Sequence, residues 1–370
     1  MINFVAKDSS FSVKFAPRIQ SRFESQWDYN GSSYDAKELN FLIRRARLKF
    51  DGYAFSTKLE YKLELGLSNR DISGANEFNR NTPRYILDAL LKWNFYENFE
   101  LWAGQTKLPG NIERVVSSGD LQLIDRSQLN SRFNIDRDMG IQLHHKTNWG
   151  STIVSREKFA ISQGEGRNVT EGNEGGLQYT SRFEFLPFGE FSSKGDYSQG
   201  DLVREKSFKA MISVTYDFNQ QAVKTRSNMG SYMFLSDGSL FETDITTWFV
   251  DTMLKYNGFS IMSEYAKRSA DQIFAVEKDG KTRSGDMVNV GSAINIQTSY
   301  LFKNNVEMTV RYTALEYEKI TTSANVNQWT FGWSKYVVGH KLKVQADLSF
   351  TQKNEQKDAV QFRTGFDFHF

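Results

Sequence analysis

Residues 41–50 read FLIRRARLKF, with four basic side chains threaded among apolar ones. By strict alternation, Ile43, Arg45, Arg47 and Lys49 share one face. Leu42, Arg44, Ala46, Leu48 and Phe50 share the other. A period of two is the signature of a β-strand whose two faces meet different surroundings. Here one face suits an apolar medium and the other suits water and anions.

The same alternation runs through the chain. FSTKLEYKLEL sets Phe55, Leu59, Tyr61, Leu63 and Leu65 against Lys58, Glu60, Lys62 and Glu64. KSFKAMISVTYDF, VNVGSAINIQTSY, VEMTVRYTA and KLKVQADLSF repeat the pattern. About sixteen such strands can be marked, the later ones joined by the short turns KYNGFS, LFKNNV and YVVGHK. A mean hydropathy of −0.54 is too polar for a bundle of membrane helices, and no apolar run reaches the ~18 residues a spanning helix needs. Roughly 9–11 residues suffice for a tilted spanning strand. With only four prolines, few backbone N–H groups are lost to a hydrogen-bonded ladder. Pro17 interrupts the first strand, so pairing is expected to begin after it.

These features predict an all-β fold: one transmembrane antiparallel barrel over residues 1–370, with about sixteen strands and alternate long loops. A soluble sandwich would also alternate. The uniform apolar faces, regular turn spacing and lack of a linker-like stretch argue against it. Trp27, Trp93, Trp102, Trp149, Trp248, Trp329 and Trp333 fall near strand ends or on apolar faces, as an aromatic girdle requires. The closing DAVQFRTGFDFHF puts Val360, Phe362, Thr364, Phe366, Phe368 and Phe370 on one face. A soluble edge strand so aromatic would invite aggregation. A last strand ending in phenylalanine resembles the signal by which outer-membrane barrels are recognised, so the barrel-assembly machinery is expected to read Phe370. The first residues, MINFVAKDSS, lack a signal peptide's basic and apolar regions, and a cleaved leader is expected.

Residues 103–143, AGQTKLPGNIERVVSSGDLQLIDRSQLNSRFNIDRDMGIQL, resemble the most recognisable block of the phosphate-selective porin O and P family. The likeness rests on Gly104–Pro109, Glu113–Leu121, Ile124–Ser127 and Arg137–Leu143, and on the R-R-A-R stretch of the opening decapeptide. It is strong over about residues 40–145. The resemblance implies a trimeric sixteen-stranded barrel in outer-membrane lipid, with a loop at about 105–138 folded inward to narrow the pore. It also implies that adjacent arginines of the second strand act in that pore.

On the lipid side Arg45, Arg47 and Lys49 would each cost ~2–4 kcal/mol near the midplane, whereas a water-filled lumen spares that cost. Arg44 then either snorkels at an interface or sits at a bulge. If the last strand closes on the first, the lumen face of strands sixteen, one, two and three carries Arg363, Arg18, Arg22, Arg45, Arg47, Lys49, Lys58 and Lys62. Against these eight stand Asp367, Glu24, Glu60 and Glu64. Such a wall selects anions unless the charges merely pair with one another. The inward loop is balanced: Lys107, Arg114, Arg126, Arg132 and Arg137 against Glu113, Asp120, Asp125, Asp136 and Asp138. No clear lysine cluster sits on the long loops, so phosphate-type or other small anions, or unselective diffusion, are all open.

A net charge of +2 gives no reason to expect a nucleic-acid partner. The absence of cysteine removes thiolate chemistry. Neither a G-x-S-x-G nor a recurrent H-x-x-x-H appears, so no enzyme, cofactor or metal is expected. His144 and His145 should face opposite sides. GEGRNVTEGNEGG, residues 164–176, lacks the following Lys-Ser/Thr of a phosphate cradle and reads as an exposed loop. An occluded barrel serving as a structural or partner-binding element is the remaining alternative.

Overall fold

The structure is a computed structural model describing residues 2–170, 174–321, 323–354 and 356–369. Phe370 and its expected recognition lie outside these. Sixteen strands pair antiparallel in chain order and close on themselves. They are β1 (Ser12–Tyr29), β2 (Tyr34–Ala54), β3 (Ser56–Gly66), β4 (Ile86–Tyr96), β5 (Phe99–Lys107), β6 (Arg137–Trp149), β7 (Ile153–Ser162) and β8 (Gln178–Leu186). The second half holds β9 (Lys209–Ala222), β10 (Thr243–Tyr256), β11 (Phe259–Ala270), β12 (Gly291–Leu301), β13 (Val306–Tyr317), β14 (Val326–Val338), β15 (Leu342–Lys353) and β16 (Ala359–His369). Closure is the β1–β16 ladder, from Arg18↔His369 to Asp28↔Ala359. A short strand, Ile2–Val5, flanks the start of β1.

Pro17 does not interrupt β1. It pairs with Leu48 of β2, and on its other side Ile2–Val5 ends opposite Phe15–Ser12 while β16 begins at Arg18. Its missing N–H therefore falls at a gap in the ladder, where no bond is forfeited. On the closing side, pairing does begin after it.

The decapeptide is bulged. Gln20 pairs with Arg45 but Ser21 pairs with Ile43, leaving Arg44 as the extra residue. Ile43, expected beside Arg45, points outward instead, as does Phe41; they are 63% and 81% exposed. Arg44 and Arg45 are both buried inside. The bulge reverses the face on which alternation falls, so two adjacent arginines enter the lumen. Strict alternation correctly places Ala46, Leu48 and Phe50 outside.

Among the tryptophans, Trp93, Trp149, Trp248, Trp329 and Trp333 are exposed outward. Trp102 departs from the girdle. It pairs with lumen-facing Gln142, donates from Nε1 to Glu100 (2.9 Å) and lies under Lys92 at 4.4 Å. His144 stacks on it at 4.1 Å, while His145 on the outer face stacks on Phe99 at 4.0 Å.

Residues 108–136 leave the barrel wall and cross the lumen, within the expected 105–138; Gln105–Lys107 and Arg137–Met139 are still paired strand ends. A helix at Gln128–Phe133, capped by the Ser127 hydroxyl, packs Leu129 and Phe133 on the inner wall with Phe249, Ala266, Ala293 and Leu315. Gly332 faces inward on β14. A Cβ there would lie 2.0 Å from Leu123 Cδ2 of the loop. Gly332→Val should therefore lift the loop or strain the wall at about 1–3 kcal/mol, read as a lower unfolding temperature together with a changed conductance.

Candidate functional site

Asp125, on the inward loop, gathers the arginines of three strands. Arg44 reaches it at 2.9 Å and Arg45 at 3.1 Å; Arg22 is bonded to it more closely, and Arg363 lies at 3.9 Å. Burial alone would push this carboxyl up. The charges of Arg44, Arg45, Arg22 and Arg363 outweigh burial and hold it well below the usual carboxylate range. A depressed folded-state pKa gives stability that is present above the unfolded value and lost only as pH falls through the folded one. Mild acid therefore leaves this tie intact.

The other predicted wall residues divide into ties and open charges. Arg18 is bound by Asp367 (2.6 Å) and by the Ser118 hydroxyl (2.6 Å), so it anchors the loop. Arg47 bridges Glu64 (3.0 Å) and Asp71 (2.8 Å), Lys62 pairs with Asp88 (2.7 Å), and Arg363 donates to Asp347 (2.6 Å). Lys49 meets Asp51 at 2.9 Å, and Lys58 is exposed near the barrel rim. In the loop, Arg114 is bonded to Asp136, and Arg126 donates to the carbonyls of Glu113 and Val116, both at 2.7 Å. Lys107 donates to the carbonyls of Val115 (3.2 Å) and Val116 (3.3 Å) and forms no ion pair among the described residues. Arg137 is paired with Asp88 at 3.0 Å. Asp120 and Arg132 contribute backbone carbonyls, accepting from Gln199 N (2.9 Å) and from Arg268 (3.0 Å).

Between the loop and the β16–β1–β2 wall lies a cavity of about 640 Å³. Among the described residues, twelve basic ones line it against five acidic ones. Arg22, Arg44, Arg45, Arg47, Arg114, Arg126, Arg137 and Arg363 are the predicted members. Arg70, Arg84, Arg167 and Lys224 come from connecting loops and carried no strand period to reveal them. The glycine-rich stretch, expected to be exposed, contributes too: Gly164 N donates to Asp138 (2.7 Å) and Asn168 N to Gln105 (2.7 Å). Its first residues are folded against the strand ends because those side chains accept its N–H groups.

Two cavity groups titrate near neutrality. Burial, with the Asp138 carboxylate nearby, raises Glu165 to about 8. Burial lowers Lys224 to about 8 against the pull of Asp138 and Glu165. From pH 7 to pH 9 Glu165 gains a negative charge and Lys224 loses a positive one, so both changes subtract from the cavity's charge. Any anion preference should weaken over that range, seen as a reversal potential in a fixed KCl gradient drifting toward the potassium value. A reading that stays flat would remove both groups from the pathway.

A curated protein from Aquifex aeolicus, itself uncharacterised, is 23% identical over 391 residues, covering 97% of this chain and 87% of its own. An anion-selective porin from Comamonas acidovorans superposes with a TM-score of 0.58 at 11% identity, covering 97% of this chain and all of the other. The trimer form of OmpT, an outer-membrane protein of Vibrio cholerae, gives 0.54 at 13%, covering 98% of this chain and all of that one. At such identities the superpositions show the barrel fold alone. The family model "phosphate-selective porin O and P" matches residues 19–361, spanning the bulged β2 and the inward loop and ending at the start of β16. The chain belongs to the phosphate-selective porin O and P family and is an outer-membrane porin.

Proposed function

We propose that this porin passes small hydrophilic solutes passively, without catalysis, and favours anions, phosphate-type or other. The observation that carries the reading is the cavity lined by twelve basic and five acidic groups. Although many lumen charges are paired, the excess is concentrated where the loop narrows the passage. Cations with incomplete partners replace part of an anion's lost hydration and raise its local concentration. The planar guanidinium fork adds complementarity to phosphate and carboxylate. Residues 1–370 would act as one barrel unit, and homotrimer formation is supported by the trimer form of the similarly folded OmpT.

The test is the reversal potential of the purified protein in planar bilayers under a KCl gradient, with inorganic phosphate then added as a blocker. A value near the chloride limit supports anion preference. A value at zero identifies a general porin. The packed interior described below favours one further reading, an occluded structural barrel, which would show no steady conductance.

A further inference from the structure

Outer-membrane barrels carry their short turns on the periplasmic side. Here those connections are residue 55, then 97–98, 150–152, 257–258, 302–305 and 339–341. One connection on the same side breaks the rule. Between β8 and β9 the chain spends the twenty-two residues 187–208.

This segment does not hang in the periplasm. Asp196, Gln199, Asp201 and Glu205 are buried. It is first fixed to its neighbours at the rim. The Asp201 carboxylate accepts from Gly258 N (2.7 Å) and Glu205 N (3.0 Å), Asn257 N donates to Glu205 O (2.8 Å), and Arg204 donates to Phe302 O (2.7 Å). It then turns up into the lumen and meets the inward loop. Gln199 N donates to Asp120 O (2.9 Å), and Gln122 N donates back to Gln199 Oε1 (2.9 Å). Two fully buried lysines hold the junction through carbonyls. Lys255 Nζ donates to Ser198 O (2.8 Å) and is also bonded to Gly200 O; Lys343 Nζ donates to Gly119 O (2.8 Å) and Leu121 O (2.6 Å). Neither forms an ion pair among the described residues. Buried ammonium groups are costly unless their donors are satisfied, and here the satisfying groups belong to the two inward segments.

We propose that residues 187–208 are a second constriction element, entering from the periplasmic mouth, and that it and the loop together set the largest solute that passes. The two fill the β8–β16 side of the lumen. Lys49, Lys58 and Glu60 on β2 and β3, with Lys146 on β6, remain open to water. Passage is thereby confined to the β1–β6 wall, on which the arginine-lined cavity also lies. The inference rests on the chain being a pore and not on its ion preference.

The experiment replaces residues 189–206 by a two-residue Asn-Gly turn and measures conductance and exclusion of neutral polyethylene glycols of graded size. Conductance should rise at least about twofold, since it follows the open cross-section, and larger polymers should enter. A shortened barrel that keeps its heat-modifiable gel migration, yet conducts and excludes as the parent does, overturns the proposal. If the shortened chain does not fold, Gln199→Ala, which removes the side-chain ties to Gln122 on the inward loop and to Gln297 and Met262 on the wall, should add open-channel noise and substates. A quiet trace identical to the parent's would then overturn it. Uncharged polymers report size alone, so failure here is distinct from failure of anion preference, which the reversal potential reads.

Discussion

Replacing Arg45 and Arg47 together by Glu should move the reversal potential in a KCl gradient from the chloride side to the potassium side. The double change alters the cavity wall by four charge units. A unit charge about 7 Å from a permeating ion in water is worth roughly 0.6 kcal/mol, about a threefold change in occupancy. Four such units, reduced by salt, leave at least about a tenfold fall in the chloride-to-potassium ratio. The local ties work in the same direction. A Glu at 45 would face Asp125, now 3.1 Å from the arginine, and a Glu at 47 would join Glu64 and Asp71. Conservative replacement by Lys keeps the charge and should preserve the sign. If the glutamate variant folds and its reversal potential stays where it was, the arginines are ties only, and the selectivity reading fails.

Arg182→Met should be the most damaging single change in the barrel wall. Arg182 is fully buried on β8, bonded to Asp251 (2.8 Å), Glu184 (2.7 Å) and the Gly110 carbonyl (2.8 Å) at the root of the inward loop. Removing one partner of a buried pair typically costs ~3–5 kcal/mol, because a carboxylate is stranded. Replacing Asp251 as well should recover part of the loss, since Glu184 keeps Lys158 at 2.7 Å. The transition temperature for heat-modified gel migration reads both effects. A single variant as resistant as the parent would mean that water reaches this cluster and hydrates the stranded charge.

The barrel was legible because hydrocarbon outside and water inside impose opposite demands on successive residues. Ala46, Leu48 and Phe50 obey that demand, and so do the turns at 257–258 and 302–305. The Arg44 bulge was legible only as one of two readings, since alternation alone does not separate a bulge from a snorkelling arginine, and the adjacent pore arginines implied by the resemblance pointed to the bulge that the register shift shows. The filled half of the lumen was hidden for another reason. Ser260, Ser299 and Gln297 read as water-facing residues, yet Ser260 and Ser299 accept from Gln122 and Gln297 donates to it. A polar inward residue looks the same whether it meets solvent or a folded segment. Lys255 and Lys343 similarly resemble pore lysines and serve as hooks. Counting parity would have exposed the second inward segment, because residues 187–208 fall where a short turn belongs.

The β1–β16 seam also governs how the molecule can be made. It joins Arg18 to His369, so its first bond closes nearly the whole chain, at an entropic cost of roughly 5 kcal/mol for a loop of about 350 residues. Until the final strand arrives, two raw edges stay open to foreign chains. Biogenesis must therefore shield a sticky, nearly finished sheet, and the rate at which that shield is released should limit the yield of working channels.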